Sequence, residues 1–292
     1  MILLSEYSKR MKPTAGVDYL KKMEEAARLL GISVINFEQF NFDSLRETLS
    51  RKTYQENEIV FWSGFVPRFE EYELAYHILQ NHGLRLINSP EEFAKSEYFN
   101  QFYPIIKDDS IESGITDNLE EAKIIAKQLH YPVFLKGSIQ SLKKLGWKNC
   151  IANNDDELEA IFKKLKANID FSLGKIIIRK YERLNYKEIG GNGIPKAHEY
   201  RFLVLNEQVI DYSYYWNGEN PFELTAQKTH ELKHLVGEIG AKVNVPYISV
   251  DIAETVDNQW KVIEIGDGQF SDIRNISALK LWTKINESLK KN

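Results

Sequence analysis

A single cysteine, Cys150, stands in a chain of 292 residues, so no intrachain disulfide can form and the sequence suits a reducing compartment. Its thiol is expected to be an ordinary buried or half-buried one. No apolar stretch approaches the roughly 20 residues that a membrane span requires. The opening MILLSEYSKRMK turns charged too soon for the core of a secretion signal. The expectation is a cytoplasmic protein with no membrane partner. An excess of one charge is missing too: 38 lysines and arginines against 42 aspartates and glutamates leave a net charge of -4. That balance offers no general attraction to nucleic acid, so any polyanion site must be local. Internal repeats and low-complexity tracts are also lacking, and the final SLKKN reads as a solvated tail.

What is present is a chain long enough for two compact domains, with 43% hydrophobic residues to fill their cores. Strand-like and helix-like segments alternate through the first ninety or so residues. Ile2 to Leu4 form a first strand, and a helix follows on which Val17, Leu20, Ala27 and Leu30 share a face until Gly31 stops it. GISVINF, EIVFWSG and LRLIN are further strands, with a helix around Phe69 to Asn81 before the last. NSPEEF carries turn and helix-start signals and marks a boundary between an α/β domain over residues 1–94 and a second region over 95–292.

In that second region Asp117 and Glu120 have capping-box spacing ahead of Leu119, Ala122, Ala126 and Leu129. PVFLKG is a short strand ending at Lys136, followed by a polar loop, SIQSLKKLGWKN, which is either a lid over phosphates (residues 138–148) or a mobile surface loop or weak nucleic-acid patch. DDELEAIFKKLKA places Leu158, Ile161, Phe162 and Leu165 inward, and KIIIRKYERL opens as a buried strand. EYRFLVLNEQVI predicts a hairpin about Asn206-Glu207, and a helix follows between about Ala226 and Val243.

The most informative pattern lies near the end. In YISVDIAETV alternation separates Ile248, Val250 and Ile252 from Ser249, Asp251 and Ala253, and WKVIEIG is a second strand. A two-residue turn at Asp257-Asn258 sets Val256 against Gln259 and, counting back, Asp251 against Glu264. Carboxylates placed so, with Cβ atoms about 5 Å apart, need a counter-ion. Magnesium, which takes one or two protein carboxylates and completes its shell with water and phosphate, is one answer. Asp267, on a Gly-flanked turn, is a candidate third ligand. An exposed acidic hairpin face is the other reading, and the two residues alone do not decide. Lys136 is likewise either a phosphate cation or a solvated strand cap. Glu199 and Arg201, on one face of their strand, are either site residues or a structural ion pair. Tyr214, Tyr215 and Trp216 line a pocket or belong to a core.

Taken in order, PVFLK, IIIRKYERL, EYRFLV, ISVDIAE and WKVIEIGDGQ resemble the ATP-grasp superfamily over about residues 95 to 290. The resemblance implies an α+β fold that clasps ATP between subdomains of about 95–175 and 176–292, behind an α/β domain of the kind that commonly precedes this core. It implies ATP and Mg2+ as cofactors. The activity implied is ligation of a small-molecule or peptide carboxylate to an amine through an acyl-phosphate, forming ADP. Residue by residue, Lys136 and Lys95 match phosphate-contacting lysines, and Lys180, Tyr181 and Glu182 match the linker that recognises adenine. Glu199 matches the ribose acid, Asp251 and Glu264 match the magnesium carboxylates, and Arg201 a basic residue that meets phosphate or the acyl oxygen. Lys136 and Arg201 are thus the expected catalytic cations. Where the superfamily has Glu-x-Asn, this chain has Gly266, and the Glu-x-Gly-Asp-Gly-Gln ending is similar to a divergent branch in which Asp267 or Gln269 replaces the missing ligand. Two rival activities stay open, a phosphotransferase and a nucleotide-binding regulator without catalysis, as does assembly into a homo-oligomer.

Overall fold

Strand β1 (Ile2–Ser5) is buried along its whole length, with Ile2 and Leu4 in one core and Leu3 in another. Such a strand is covered on both faces, as parallel sheets require. The computed structural model, which describes residues 1–291, places it between β2 (Ser33–Asn36) and β3 (Glu58–Ser63), with β4 (Leu84–Leu86) at the edge, all parallel. Helices α1 (Ala15–Leu29), α2 (Phe42–Ser50) and α3 (Phe69–Gln80) complete this layer. Gly31, at φ +71°, ends α1 as expected, but Leu30 falls past its last turn and stays partly exposed instead of joining Val17, Leu20 and Ala27. NSPEEF starts α4 (Pro90–Glu97): Ser89 and Glu92 exchange capping hydrogen bonds, and Phe93 packs into the core beneath the first sheet. Helix α5 (Phe99–Ile106) follows; it and α2 lie where the sequence predicts no helix.

The second sheet orders β5 (Ser113–Thr116), β8 (Ile176–Lys180), β6 (Val133–Gly137) and β7 (Ile151–Ala152), all antiparallel. Helix α6 (Leu119–Leu129) is capped by Asn118, one residue after the Asp117 of the expected box. Helix α7 (Asp155–Ala167) buries all four of its predicted apolar residues, and a short α8 (Ile169–Ser172) follows. Cys150 is buried, and burial pushes its thiol up. A small hairpin, β9 (Tyr186–Ile189) with β10 (Pro195–Ala197), then leads to the third sheet.

That central sheet orders β12 (Gln208–Tyr214), β11 (Glu199–Leu205), β13 (Tyr247–Glu254) and β14 (Trp260–Asp267). Asn206 and Glu207 both adopt positive φ in the β11–β12 turn, as predicted. One face of the sheet, carrying Phe202, Val204, Ile248, Val250 and Ile252, is covered by α5 and by α9 (Ala226–Val243). On the other face Leu203, Leu205 and Tyr247 pack with Leu3, Phe61 and the final helix α10 (Ala278–Lys291). The expected solvated tail is therefore helical through Lys291, with Leu289 against that core; Asn292 lies outside the described residues. No helix among the described residues is long and apolar enough to cross a membrane.

Candidate nucleotide cleft

Asp251 and Glu264 are direct partners across β13 and β14, as the sequence predicts, but by another route. The loop is one residue longer, with the Thr255 amide donating to the Gln259 carbonyl at 2.8 Å and Asn258 at φ +60°. Glu254, Ala253 and Ile252 then pair with Trp260, Lys261 and Val262; a bulge leaves Ile263 unpaired, and the pairing resumes at Asp251 and Glu264. The bulge turns Ile263 and Glu264 toward the same side, where both line a cavity.

Neither carboxylate is alone. Arg201, the partner of Asp251 on β11, grips it with two parallel bonds of 2.7 Å from Nε and Nη2. Burial works against the Arg201 charge, yet Asp251 holds the guanidinium protonated above its usual range. Lys136, 5% exposed on β6, donates to Glu264 Oε1. Burial alone would raise the Glu264 carboxyl, but Lys136, helped by Lys143 and Arg179, brings it down to about 2. Burial pushes Lys136 the other way, below the usual lysine range. Glu199 is buried at the start of β11 with no side-chain hydrogen bond among the described residues. Burial and then the nearby Asp251 push it up to about 8.

Two adjoining cavities open beside these groups. One, of about 270 Å³, has walls from Phe134, Trp147, Trp216 and Ile194 and takes in the linker Lys180, Tyr181 and Glu182 together with Glu199. The amides of Tyr181 and Glu182 make no hydrogen bond among the described residues, which leaves them free for a planar heterocycle. The second, of about 200 Å³, is lined by Lys136, Lys143, Lys144, Arg179, Tyr215 and Glu264. Phe134, Lys143, Arg179 and Ile263 belong to both walls, so the two form one cleft with an apolar and a cationic end. Small-molecule sites commonly measure about 300–1,000 Å³. A larger groove of about 590 Å³ behind the linker, lined by Lys107, Asp108 and Lys261 among others, is open and polar and holds neither carboxylate of the pair. In the 138–148 loop the turns at Leu142–Leu145 and Trp147–Cys150 pack against the tip of the β9–β10 hairpin, Gly191–Gly193, with Lys143 and Trp147 lining the cleft.

This is the architecture of known enzymes. The D-alanine–D-alanine ligase of Bacillus anthracis, solved with ATP, superposes with a TM-score of 0.68 at 13% identity, covering 99% of this chain and 97% of that one. A RimK-domain ATP-grasp protein of Sphaerobacter thermophilus gives 0.64 at 11% identity over 98% of each chain. The ATP-grasp ligase PsnB, solved with a minimal precursor, gives 0.60 at 14% identity over 98% of each. No curated protein matches in sequence. The family model for the ATP-grasp domain, R-two-K clade family 3, matches residues 126–285, more than half of the chain. The chain belongs to that family. Its fold is the ATP-grasp fold of these ligases.

Within this ATP-grasp domain the structure gathers Lys136, Lys180, Tyr181, Glu182, Glu199 and Glu264 along one cleft, while Asp251 and Arg201 line neither cavity and stand buried behind it, Asp251 as the cross-strand partner of Glu264. Two other expected residues are not brought there. Asp267 alternates to the face of β14 opposite Glu264, and its oxygens accept from Asn88 Nδ2 at 2.8 Å and from the Gln269 amide at 2.8 Å. Both oxygens are therefore engaged away from the cleft, and Gln269, which donates to Asp267 and to Tyr72, lies there with it. Lys95 lies half-buried on α4, makes no ion pair among the described residues and lines neither cavity of the cleft. The alternative reading of Glu199 and Arg201 as an ion pair is not met among the described residues, because Arg201 turns to Asp251. Arg179 joins the cleft unforeseen as a site residue, and of the aromatic trio Tyr215 and Trp216 line cavities while Tyr214 packs in the core. For Arg179 the parity of KIIIRK was a usable signal, since it places a charge on the same strand face as the buried Ile177.

Two facing carboxylates suit a hard divalent cation that draws its remaining ligands from phosphate and water. Glu264 fits best: its side chain is 37% exposed and only Oε1 is engaged. Both oxygens of Asp251 are engaged by Arg201. No group of three or more His, Cys, Asp or Glu placed to hold a metal occurs among the described residues.

Proposed function

We propose that this protein is an ATP- and magnesium-dependent carboxylate–amine ligase that works through an acyl-phosphate and releases ADP. The observation that carries the reading is the single cleft in which an apolar end, with free linker amides and an unpartnered Glu199, adjoins a cationic end bordered by paired carboxylates. The base would lie against the linker of Lys180, Tyr181 and Glu182, with the ribose hydroxyls on Glu199 and the phosphates toward Lys136 and Lys143. Glu264, with Asp251 beside it, would hold the magnesium, which when bound screens the charge of the phosphates. Lys136 and Arg201 supply fixed positive charge where negative charge builds on the phosphoryl group. A carboxylate oxygen of the first substrate bonds to the γ-phosphorus as the bond to the ADP oxygen breaks. The amine then bonds to the acyl carbon, inorganic phosphate leaves, and the amine proton passes to solvent. The meeting of the lid with the β9–β10 tip supports exclusion of water, which would otherwise hydrolyse the acyl-phosphate. Residues 1–94 act as the domain on which this clasp is mounted.

The test is ATP consumption with pooled amino acids and short peptides. Amine-dependent ADP and phosphate are expected, whereas AMP, or a stable phosphorylated product with no amine requirement, would overturn the ligase reading. A regulator without catalysis has one observation in its favour, the full engagement of Asp251 by Arg201. Asp251→Asn would then leave cellular function intact, while the ligase reading expects its loss.

A further inference from the structure

The loop after β14 presents an arginine that the fold positions firmly and leaves without a partner. Arg274 adopts φ +55°, a left-handed conformation that is rare outside glycine and recurs at ligand sites. Its surroundings enforce that conformation. Ile273 and Ile276 are buried on either side, the Arg274 amide donates to Asp272 Oδ1 at 2.9 Å, and Asn275 Nδ2 donates to the carbonyls of Tyr214 at 3.1 Å and Trp216 at 3.2 Å. The guanidinium, by contrast, donates no hydrogen bond among the described residues. Its Nε is buried without a partner, and Nη1 stands 3.6 Å from the half-exposed Asp272 carboxylate, too far for one. Stacking on Tyr215, whose ring centroid lies 3.9 Å from Cζ, fixes the guanidinium plane without satisfying its donors.

Its place indicates which charge would meet it. Ser213, Arg201, Asp251 and Glu264 are successive cross-strand partners, so one row of side chains crosses the central sheet from β12 to β14. Adjacent strands lie about 4.8 Å apart, which puts the β12 end of the row three spacings from Glu264 and Lys136. Tyr215, just past β12, closes the row: it lines the cationic cavity, and its ring centroid lies 5.2 Å from Arg201 Cζ as well as 3.9 Å from Arg274 Cζ. Arg201 is neutralised by Asp251 and Lys136 by Glu264, whereas Arg274, with its side chain 22% exposed, keeps an open fork. Arg274 thus stands one aromatic ring beyond Arg201, on the side away from the phosphates. We propose that Arg274 is a specificity-determining residue that binds a second carboxylate of the donor substrate. The molecule activated is then a dicarboxylate, such as an acidic amino acid or a peptide ending in one, with its two carboxylates a few carbons apart. The forked donors of arginine match both oxygens of a carboxylate. The assignment rests on the ligase reading of the cleft and goes beyond it in naming the donor class.

Hydroxylamine supplies the amine in the test: its nitrogen bonds to the acyl carbon as phosphate leaves, so any activated donor is scored as a hydroxamate alongside ADP. The full chain is assayed with ATP, magnesium and succinate, glutarate, aspartate or glutamate, each against the half-amides in which one carboxylate is neutralised. At least one dicarboxylate is expected to exceed its half-amides in kcat/KM by about 10- to 100-fold, the scale of charge-assisted bonds. Arg274→Met should raise KM for that dicarboxylate by a similar factor, remove the preference over half-amides, and leave both the KM for ATP and the unfolding midpoint little changed. Arg274→Lys should recover only part of the loss. Half-amides or monocarboxylates used as well as dicarboxylates, an equal loss for both classes in Arg274→Met, or a loss of ATP affinity would each overturn the assignment. Hydroxamate from no carboxylate at all would fell the ligase reading instead. Calorimetric titration of glutarate and glutamate into the protein with ADP and magnesium then decides for Arg274: binding weakened by Arg274→Met supports it, and no binding, or binding that the variant keeps, overturns it.

Discussion

On β14 the cleft side carries Glu264, partly open and bound to the cation Lys136, while the opposite side carries Asp267, fully buried and held by the neutral amides of Asn88 and Gln269. Two acids three positions apart have opposite electrostatics. Cations hold Glu264 down to about 2, whereas burial raises Asp267 to about 6 despite its hydrogen bonds. The first arrangement keeps a charge ready at an opening. The second joins the first α/β layer to the central sheet, since Asn88 also accepts from the Tyr247 amide at 2.9 Å and donates to the Tyr247 carbonyl at 2.8 Å. An acid in this strand thus stays charged at an opening or joins two layers according to the partner its side of the sheet offers.

Exchanging charge for amide on each side should break the comparison cleanly. Glu264→Gln is expected to lower ATP turnover by about 100- to 1,000-fold, the scale on which loss of one transition-state electrostatic contact is felt, with the unfolding midpoint little changed. Asp267→Asn should do the reverse. It sets an NH2 group against donors from Asn88 and Gln269, costs about 1–3 kcal/mol in denaturant unfolding, and spares turnover at saturating ATP.

The pH dependence sharpens the same contrast. Glu6 and Glu97 are raised by burial to about 7, Glu199 to about 8 and Asp267 to about 6. Groups raised above their unfolded values bind protons more tightly when folded, so the stability they lend is complete at low pH and is lost as pH climbs through about 6 to 8. Glu264 acts oppositely, lending stability above the ordinary carboxylate range and losing it only as pH falls toward about 2. The nucleotide-free protein should therefore melt at a higher temperature near pH 5 than near pH 8, and Glu97→Gln should flatten that slope. A steeper slope in the variant would count against burial as the cause. The smallest effect is expected at Lys180, whose exposed side chain meets Glu182 at 3.6 Å: Lys180→Ala should alter ATP affinity by less than about threefold, because backbone groups face the base cavity there.

Much of this is readable from the chain where local chemistry decides. The four apolar residues of α7 and the Asn206-Glu207 turn follow from periodicity and residue type, whereas the count that sets Asp251 against Glu264 holds because a longer loop and the bulge at Ile263 offset each other. What escapes depends on which surfaces meet. Asp267 reads as a ligand because it follows Glu264 closely, yet its environment is set by Asn88, 179 positions away in sequence. Lys95 carries the right charge on a helix that does not deliver it to the cleft. The sequence points Arg201 at phosphate, and its cross-strand pairing with Asp251 becomes visible only once β11 and β13 are neighbours.

Ile263 is the residue that strand pairing could omit. Without it Val262 and Glu264 would follow one another directly, and Asp251 would still face Glu264. Yet it is Ile263 whose side chain borders both ends of the cleft and whose carbonyl receives Arg179. A one-residue deletion there would read as silent to the sheet and as a missing threshold between two rooms to whatever ligand has to lie across them.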